Sequence, residues 1–269
     1  MTIASIQPKK KFGQNFLRDQ DVARDILDLV RPRQEDNVLE IGPGTGALTE
    51  GLVTSGAAIN AIEIDSNLCD LLSEKYKNNT NFVLHQCDIL KFDLKKLKKN
   101  SKPWKVVGNL PYNIATRILI DLLSHPSLFT KMIIMTQLEV AEKIVSPPNT
   151  SSYGRLSIAL QRKARVNIRL KVGKECFFPE PKVNSAVLEI RPKTINIRND
   201  FEVKLSDITR SAFSNRRKTI SNSLKIFFSS DELISLGLNP KDRAQNLSIE
   251  KYERLTDYLM SKERKEFDP

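Results

Sequence analysis

The chain has 269 residues, of which 40% are hydrophobic and 28% are charged, a composition typical of globular proteins. This length is enough to bury a sizeable core and to form one large and one small domain. The formal net charge of +11 predicts a polyanionic partner, with nucleic acid favoured over a membrane surface. A Lys-rich, solvated surface without such a partner is the alternative.

Cysteine usage indicates a reducing compartment. Cys69, Cys87 and Cys176 are odd in number and widely spaced, and no Cys-x-x-Cys occurs. This excludes a disulfide framework and a zinc site, so no metal is expected. The first seven residues lack the charged-then-apolar pattern of a signal peptide, and the longest apolar runs are too short to span a bilayer. We expect a soluble, cytoplasmic monomer.

Strands and helices alternate through the first half of the chain. A basic segment with aromatic residues, here called the arm (residues 9–17), precedes a helix that lies between Asp19 and Pro32. Strands are predicted at 37–41, 58–64, 81–85, 104–108 and 131–136, with helices after the first, second and fourth. Such alternation predicts a parallel sheet with helices on both faces, in which ligands bind beyond the carboxyl ends of the strands.

The pattern changes after residue 145. A breaker-rich loop at 146–152 is followed by two alternating segments, 164–172 and 185–191, which predict antiparallel strands joined by a loop. Beyond residue 200 only short helical patterns occur. We therefore predict a domain over residues 1–193, which includes the arm, and a small all-helical domain over residues 200–269.

A glycine loop follows the first strand of the predicted sheet. Gly42-Pro43-Gly44-Thr45-Gly46 lies between strand and helix, where glycines let backbone amides approach a ligand while the chain turns. Gly42, Gly44 and Ala47 also satisfy the dinucleotide pattern that allows Ala in the last position, so the loop does not distinguish a nicotinamide from another adenosine cofactor. A purely structural turn is the less favoured reading.

Acidic residues follow the next two strands. Glu63 is placed to accept hydrogen bonds from both hydroxyls of a ribose, and its alternative is a solvated strand-end carboxylate. Asp88 is placed to accept from an adenine amine, with Asp93 as a rival for that role. Neither Glu63 nor Asp88 is spaced for paired acid/base hydrolysis.

The fourth strand ends in Asn109-Leu110-Pro111-Tyr112. The exocyclic amine of adenine is a poor nucleophile because its lone pair is delocalised into the ring. The Asn109 side-chain oxygen and the Leu110 carbonyl can accept from such an amine and aim its lone pair at an electrophilic methyl group, while Pro111 fixes the backbone and Tyr112 stacks on the base. A strand end followed by a proline turn and a core tyrosine is the structural alternative.

These motifs carry a resemblance to a known family. Residues 109–112 resemble the signature of amino-directed methyltransferases: Asp, Asn or Ser, then Ile or Leu, Pro and an aromatic residue. With 12–17 (Phe-Gly-Gln-Asn-Phe-Leu) and 40–46 (Glu-Ile-Gly-Pro-Gly-Thr-Gly), the chain is similar to the rRNA adenine dimethyltransferases, and among them to the small-subunit, KsgA-type enzymes. Further matching stretches are 153–157, 178–187, 212–213 and 216–220.

The resemblance implies a doubly wound, Rossmann-like class I methyltransferase sheet with an antiparallel edge hairpin, followed by a small all-helical C-terminal domain. It implies S-adenosylmethionine as cofactor and an arm that folds over it. The implied reaction is dimethylation of the exocyclic amines of two adjacent adenosines in a hairpin loop near the 3′ end of small-subunit (16S) rRNA, within a pre-30S particle. The implied cofactor-binding residues are Asn15, Leu17, Gly42, Gly44, Glu63, Asp88 and Asn109.

Two further groups complete the predicted site. Phe177 or Phe178 would form a second aromatic wall opposite Tyr112 for a flipped base, and Phe178 is slightly favoured. Two acid-poor clusters are expected to track RNA phosphates, although charge runs are often solvated faces. The predicted RNA-binding residues are Arg155, Arg162, Lys163, Arg216, Arg217 and Lys218.

Three other functions fit the sequence less well. A large-subunit rRNA methyltransferase of the antibiotic-resistance type would share the first domain, but Leu110 and the segment 212–218 favour the small-subunit type. An assembly or transcription factor without catalysis is disfavoured by the intact glycine loop and by Asn109. A dehydrogenase is a distant third, because no His or Lys is suitably placed for acid/base work.

Overall fold

The computed structural model describes residues 7–97 and 102–267, without the side chains of Lys10 and of residues 265–267. Residues 1–6 lie outside the described residues. They include most of the seven residues for which no signal peptide is predicted. The chain divides into two compact units, the first formed by residues 1–141 and 164–194 and the second by residues 142–163 and 195–269.

The described strands are β1 (Phe16–Leu17), β2 (Asn37–Ile41), β3 (Ala58–Glu63), β4 (Phe82–Gln86), β5 (Trp104–Asn109), β6 (Phe129–Gln137), β7 (Ala164–Val172), β8 (Phe177–Phe178) and β9 (Ser185–Pro192). Seven of them form one sheet in the order β4-β3-β2-β5-β6-β9-β7. The five strands from β4 to β6 are parallel to one another, and β9 runs antiparallel to both of its neighbours. The predicted Rossmann-like sheet with an antiparallel edge hairpin is therefore confirmed.

The described α-helices are α1 (Gln20–Val30), α2 (Thr49–Thr54), α3 (Ser66–Lys75), α4 (Ala115–Leu122), α5 (Leu138–Val145), α6 (Arg155–Lys163), α7 (Asn199–Ala212), α8 (Ile220–Ser223), α9 (Ser230–Ser235) and α10 (Ile249–Phe267). The apolar stripe of α1, with Ile26 and Val30, packs into one core with Val38 and Val107 of the sheet. Leu39 alternates with Val38 and is equally buried, so β2 is covered on both faces.

The arm pairs with the loop that joins the last two strands of the sheet. β1 and β8 form a two-stranded antiparallel sheet in which Phe16 lies opposite Phe178 and Leu17 lies opposite Phe177. Two of the three large apolar side chains of the arm, Phe16 and Leu17, therefore lie in a strand that has a partner, which explains their presence in a segment without periodicity.

The second unit is helical. Its hydrophobic core contains Phe201 and Leu205 of α7, Tyr252 of α10, and also Tyr153 and Ile158. The last two belong to the segment 142–163. The prediction assigned this segment to the first domain, whereas the structure places it in the second unit. The sequence does not reveal this assignment, because the breaker-rich loop at 146–152 lies inside the segment and the apolar residues after it give no sign of the core that they join. No described helix is long and apolar enough to cross a membrane.

Candidate active site

A cavity of about 360 Å³ lies at the carboxyl ends of β2, β3, β4 and β5. Its walls come from the glycine loop, the strand ends and the arm. Ten of the predicted site residues line it, namely Asn15, Leu17, Gly42, Gly44, Glu63, Asp88, Asn109, Leu110, Pro111 and Tyr112. Residues that are distant in sequence meet here because parallel strands place their carboxyl ends at one edge of the sheet.

The glycine loop is shaped by positive backbone angles. Gly44 has φ +59°, and a Cβ atom added there would lie 3.0 Å from Cδ1 of Phe16 in the arm. A side chain at this position would therefore be strained and would also push the arm away from the loop. Gly42 has φ +66° and its N–H donates to the carbonyl of Ile62 at 2.9 Å, which ties the start of the loop to β3.

Glu63 is buried at the end of β3, and three backbone amides donate to its carboxyl group. Ile64 and Asp65 donate to Oε1, each at 2.9 Å, and Gly44 donates to Oε2 at 3.2 Å. Burial raises the pKa of Glu63, and these hydrogen bonds oppose the rise. The amides fix the carboxyl group and leave Oε2 with capacity for a further donor, as a ribose hydroxyl would be.

Asp88 and its rival Asp93 have different surroundings. Asp88 lines the cavity, and its Oδ1 accepts from the backbone N–H of Leu90 at 2.9 Å, so its second oxygen is available to a ligand. Asp93 accepts from Lys95 N–H at 3.0 Å, is exposed and does not contribute to the cavity. The position of the two side chains thus favours Asp88 for an adenine amine.

The orientation of the Asn109 amide follows from its partner. Nδ2 of Asn109 donates to the backbone carbonyl of Asn15 in the arm at 2.8 Å. A carbonyl oxygen only accepts, so the nitrogen of the amide must face Asn15 and the oxygen must face away from it. Asn109 therefore presents an acceptor at the cavity wall. Leu110 is buried beside it, with its N–H bound to the Met135 carbonyl at 3.1 Å.

Tyr112 is held by its hydroxyl group. The phenol oxygen lies 2.6 Å from Oγ of Ser185, a fully buried residue at the start of β9. Burial raises the pKa of Tyr112 and the Ser185 hydrogen bond opposes the rise; the same hydrogen bond fixes the orientation of the ring. A half-buried ring fixed at its far end offers a flat, apolar surface to a planar ligand.

Comparison with known proteins decides which class of enzyme this site belongs to. The model of the family described as Ribosomal RNA adenine dimethylase matches residues 6–261. The chain is 43% identical over 256 residues to the Ribosomal RNA small subunit methyltransferase A of Pseudomonas savastanoi pv. phaseolicola, covering 94% of this chain and 95% of that protein. The chain belongs to the rRNA adenine dimethylase family.

Solved structures share its fold. A dimethyladenosine transferase from Plasmodium falciparum superposes with a TM-score of 0.79 at 24% identity, covering 92% of this chain and 98% of that one. The 23S rRNA methyltransferase ErmE superposes with a TM-score of 0.68 at 26% identity, covering 91% and 100%. As a member of the rRNA adenine dimethylase family, the chain is an S-adenosylmethionine-dependent enzyme that dimethylates adenine in rRNA.

The cavity fits the cofactor of this dimethylase. Its volume of about 360 Å³ suits a nucleoside-sized ligand. The glycine loop lets a ligand approach the backbone closely, and Glu63 keeps an acceptor available. Ile64, the residue after Glu63, is 43% exposed. When bound, the cofactor supplies an electrophilic methyl group. We propose Asn15, Leu17, Gly42, Gly44, Glu63, Asp88 and Asn109 as the residues that hold it.

Phe177 and Phe178 point in opposite directions, as adjacent residues of a strand do. Phe177 is 4% exposed and packs in the core with Leu17, whereas Phe178 is 41% exposed. The Arg18 guanidinium lies over the Phe178 ring, 3.9 Å from its centroid. Neither ring is among the residues that line the cavity in the described structure, so a wall at Phe178 opposite Tyr112 is still a prediction.

Two of the predicted RNA-binding residues are structural. Arg162 forms ion pairs with Glu202 and Glu253 and lies over the ring of Phe201, and Lys163 pairs with Glu202 at 2.9 Å. Their side chains are only 9% and 6% exposed, respectively. The prediction for these two was wrong because a basic run in the sequence does not reveal that carboxylates of α7 and α10 neutralise it.

The other predicted RNA-binding residues are exposed: Arg155 at the start of α6, and Arg216, Arg217 and Lys218 between α7 and α8. Arg216 also donates to the carbonyl of Tyr153 at 2.9 Å, so it has a structural task in the helical unit.

The sequence analysis missed Glu40, which is 1% exposed and lines the cavity. The Thr49 hydroxyl group donates to its Oε2 at 2.8 Å. Burial raises the pKa of Glu40 to about 8, the Thr49 hydrogen bond opposes the rise, and the neighbouring Glu63 adds to it. The sequence contained a signal for this residue, since Glu40 is the only charged residue of β2, a strand whose five residues are all buried.

Proposed function

We propose that this dimethylase acts on the exocyclic amines of two adjacent adenosines in a hairpin loop near the 3′ end of small-subunit (16S) rRNA. The observation that carries the proposal is the fixed amide of Asn109, whose oxygen is left free to accept from an amine. The named relative at 43% identity is a small-subunit enzyme, which favours this substrate over large-subunit rRNA.

In this proposal the residues of the chain act by alignment and charge placement. Asn109 Oδ1 and the Leu110 carbonyl accept hydrogen bonds from the adenine amine. These hydrogen bonds favour a tetrahedral amine nitrogen. Its lone pair is then no longer delocalised into the ring and can be aimed at an electrophilic methyl group. Tyr112 stacks on the base, and Pro111 holds the backbone between these groups. The proton of the amine leaves after transfer, so no dedicated base is needed.

The reaction products test the proposed substrate. Purified protein is incubated with unmethylated small-subunit particles and an isotope-labelled methyl donor, and rRNA fragments are analysed by mass spectrometry. We expect two adjacent dimethyladenosines in one 3′-terminal fragment. Protein-free large-subunit rRNA serves as the matched alternative substrate. Labelling of that RNA alone would overturn the small-subunit assignment, and labelling of neither would overturn the proposed substrate as a whole.

We propose that Arg155, Arg216, Arg217 and Lys218 contact rRNA phosphates within a pre-30S particle, that the protein binds this particle as a monomer, and that it works in the cytoplasm. Arg217 and Lys218 are exposed, and no described hydrogen bond involves their side chains, so their charges are available to an RNA backbone. Neutralised phosphates release counterions, which makes the affinity depend on salt.

Charge reversal at Arg217 and Lys218 tests this surface. The double variant Arg217→Glu, Lys218→Glu is expected to bind small-subunit particles at least about tenfold more weakly at low salt. The slope of log K against log salt concentration is expected to fall by about 1.5, because two phosphate contacts are lost. Lys95→Glu, which reverses the charge of an exposed lysine in the first unit, is the control. An unchanged slope in the double variant would remove both residues from the surface.

A further inference from the structure

The arm covers one side of the cofactor cavity and is attached to the sheet at several points. Residues 11–17 line the cavity, and Phe16 packs on Gly44. The backbone of the arm continues into β1, and the N–H of Arg18 donates to the Cys176 carbonyl at 2.8 Å. These contacts secure the end of the arm that joins α1. The opposite end needs a separate attachment.

Asp65 provides that attachment. Its side chain is only 3% exposed, and Nζ of Lys9 lies 2.6 Å from Oδ1 while Nε2 of Gln14 lies 2.9 Å from Oδ2. The two arm residues also bind each other, since the Lys9 N–H donates to Oε1 of Gln14 at 2.7 Å. Burial alone would raise the pKa of Asp65, but the hydrogen bonds from Lys9 and Gln14 hold it below its usual value. We call this group of three residues the clasp.

The clasp lies one residue away from the contact that orients the catalytic amide. Gln14 is followed by Asn15, whose carbonyl accepts from Nδ2 of Asn109 at 2.8 Å. The position of this carbonyl depends on where the arm lies. If the arm shifts, Asn109 loses the only described partner that fixes which end of its amide faces the cavity.

We infer that Asp65 is a positioning residue for methyl transfer: by clasping Lys9 and Gln14 it holds the arm over the cavity and keeps the Asn15 carbonyl in place to orient Asn109. Asp65 does not touch the substrate in this scheme. It acts through the arm. The inference rests on the role proposed above for Asn109, but the state of the arm itself can be measured without any methyl transfer.

A purely local role for Asp65 is the alternative. Asp65 is also the N-cap of α3, where its Oδ1 accepts from the N–H of Asn67 at 3.1 Å. Asn is as good an N-cap as Asp. Asp65→Asn therefore retains the cap, but it removes both the charge that Lys9 recognises and the oxygen that accepts from Gln14, so both arm contacts of Asp65 are weakened without loss of the cap. Substitution of Lys9 is a second, independent test, because Lys9 takes no part in the cap and does not line the cavity.

The experiment compares Lys9→Met, Asp65→Asn and their combination in the full-length protein. Each single variant is expected to release S-adenosylmethionine about tenfold faster and to show a kcat about tenfold lower, because a partly buried charge-assisted hydrogen bond is lost. Amides of the arm are expected to exchange hydrogen faster. The double variant should be no worse than Asp65→Asn alone, because Asp65→Asn already removes the ion pair with Lys9. Lys9→Arg keeps the positive charge and should retain a rate of cofactor release and a kcat close to those of the unchanged protein.

Asp36→Asn is the matched control, because Asp36 likewise accepts from a backbone N–H, that of Arg33 at 2.8 Å, and from a lysine, Nζ of Lys105 at 2.6 Å, and it does not line the cavity. It should leave cofactor release and arm exchange unchanged. Additive losses, or losses in proportion to a fall in Tm, would show a merely structural role and overturn the inference. Faster arm exchange with unchanged kcat at saturating cofactor would retain the clasp but refute its link to Asn109.

Discussion

Replacing Asn109 with alanine is expected to lower kcat about 100- to 1,000-fold at saturating cofactor and RNA, the size of effect seen when one preorganised polar group is removed from an active site. The amide oxygen is one of two acceptors proposed for the adenine amine, and without it the lone pair of the amine stays delocalised. Single-turnover methylation of small-subunit particles measures the effect on the chemical step.

Asn37→Ala is the matched control for this prediction. Asn37 lies at the opposite end of the sheet, and its Nδ2 also donates to a backbone carbonyl, that of Lys102, at 3.1 Å. Its replacement removes the same type of hydrogen bond and should leave kcat unchanged. Asn109→Asp keeps an acceptor but places a carboxylate oxygen against the Asn15 carbonyl, so we expect an intermediate loss. Full activity of Asn109→Ala would exclude the proposed role of the amide.

The fold and the walls of the site could be predicted because their signals are local in sequence. Each strand is a short apolar run that ends in a polar or glycine-rich turn, and parallel pairing then brings those ends together without further information. Thus Glu63 and Asn109 are correctly placed at one edge of the sheet from strand boundaries alone.

What the sequence does not reveal is which partner a side chain meets across the fold. Arg162 and Arg217 both belong to basic runs, yet the first is buried between carboxylates and the second is exposed. The clasp is hidden for the same reason, because Lys9 and Asp65 are 56 residues apart. Pairing between distant charges is a tertiary property, and neither periodicity nor composition encodes it.

Removal of the Glu40 carboxyl group is expected to stabilise the cofactor-free protein at alkaline pH. The pKa of Glu40 is raised from 4.5 to about 8 in the folded chain. The folded state therefore holds this proton more tightly than the unfolded state, so the free energy of unfolding falls as pH rises from about 4.5 to about 8. Above that range the penalty amounts to roughly 3 to 5 kcal/mol.

Glutamine at position 40 cannot ionise, and its amide oxygen can still accept from the Thr49 hydroxyl group. Thermal unfolding of Glu40→Gln should therefore show a Tm about 5 to 10 °C above that of the unchanged protein at pH 8.5. At pH 5 the difference should be small, because the folded wild-type protein then keeps Glu40 protonated. The measurement is a pair of melting curves without cofactor at each pH.

Glu189, a buried glutamate of the same sheet, is the control, because its replacement by glutamine should change Tm in the opposite direction. It is 4% exposed, and burial would raise its pKa, but hydrogen bonds from Arg169 and Arg191 lower it. Its ionised form stabilises the fold above about pH 4.5, so Glu189→Gln should lower Tm at both pH 5 and pH 8.5. If Glu40→Gln behaved in the same way as Glu189→Gln, Glu40 would have to be ionised in the folded protein. The cavity would then carry a buried negative charge before any ligand binds.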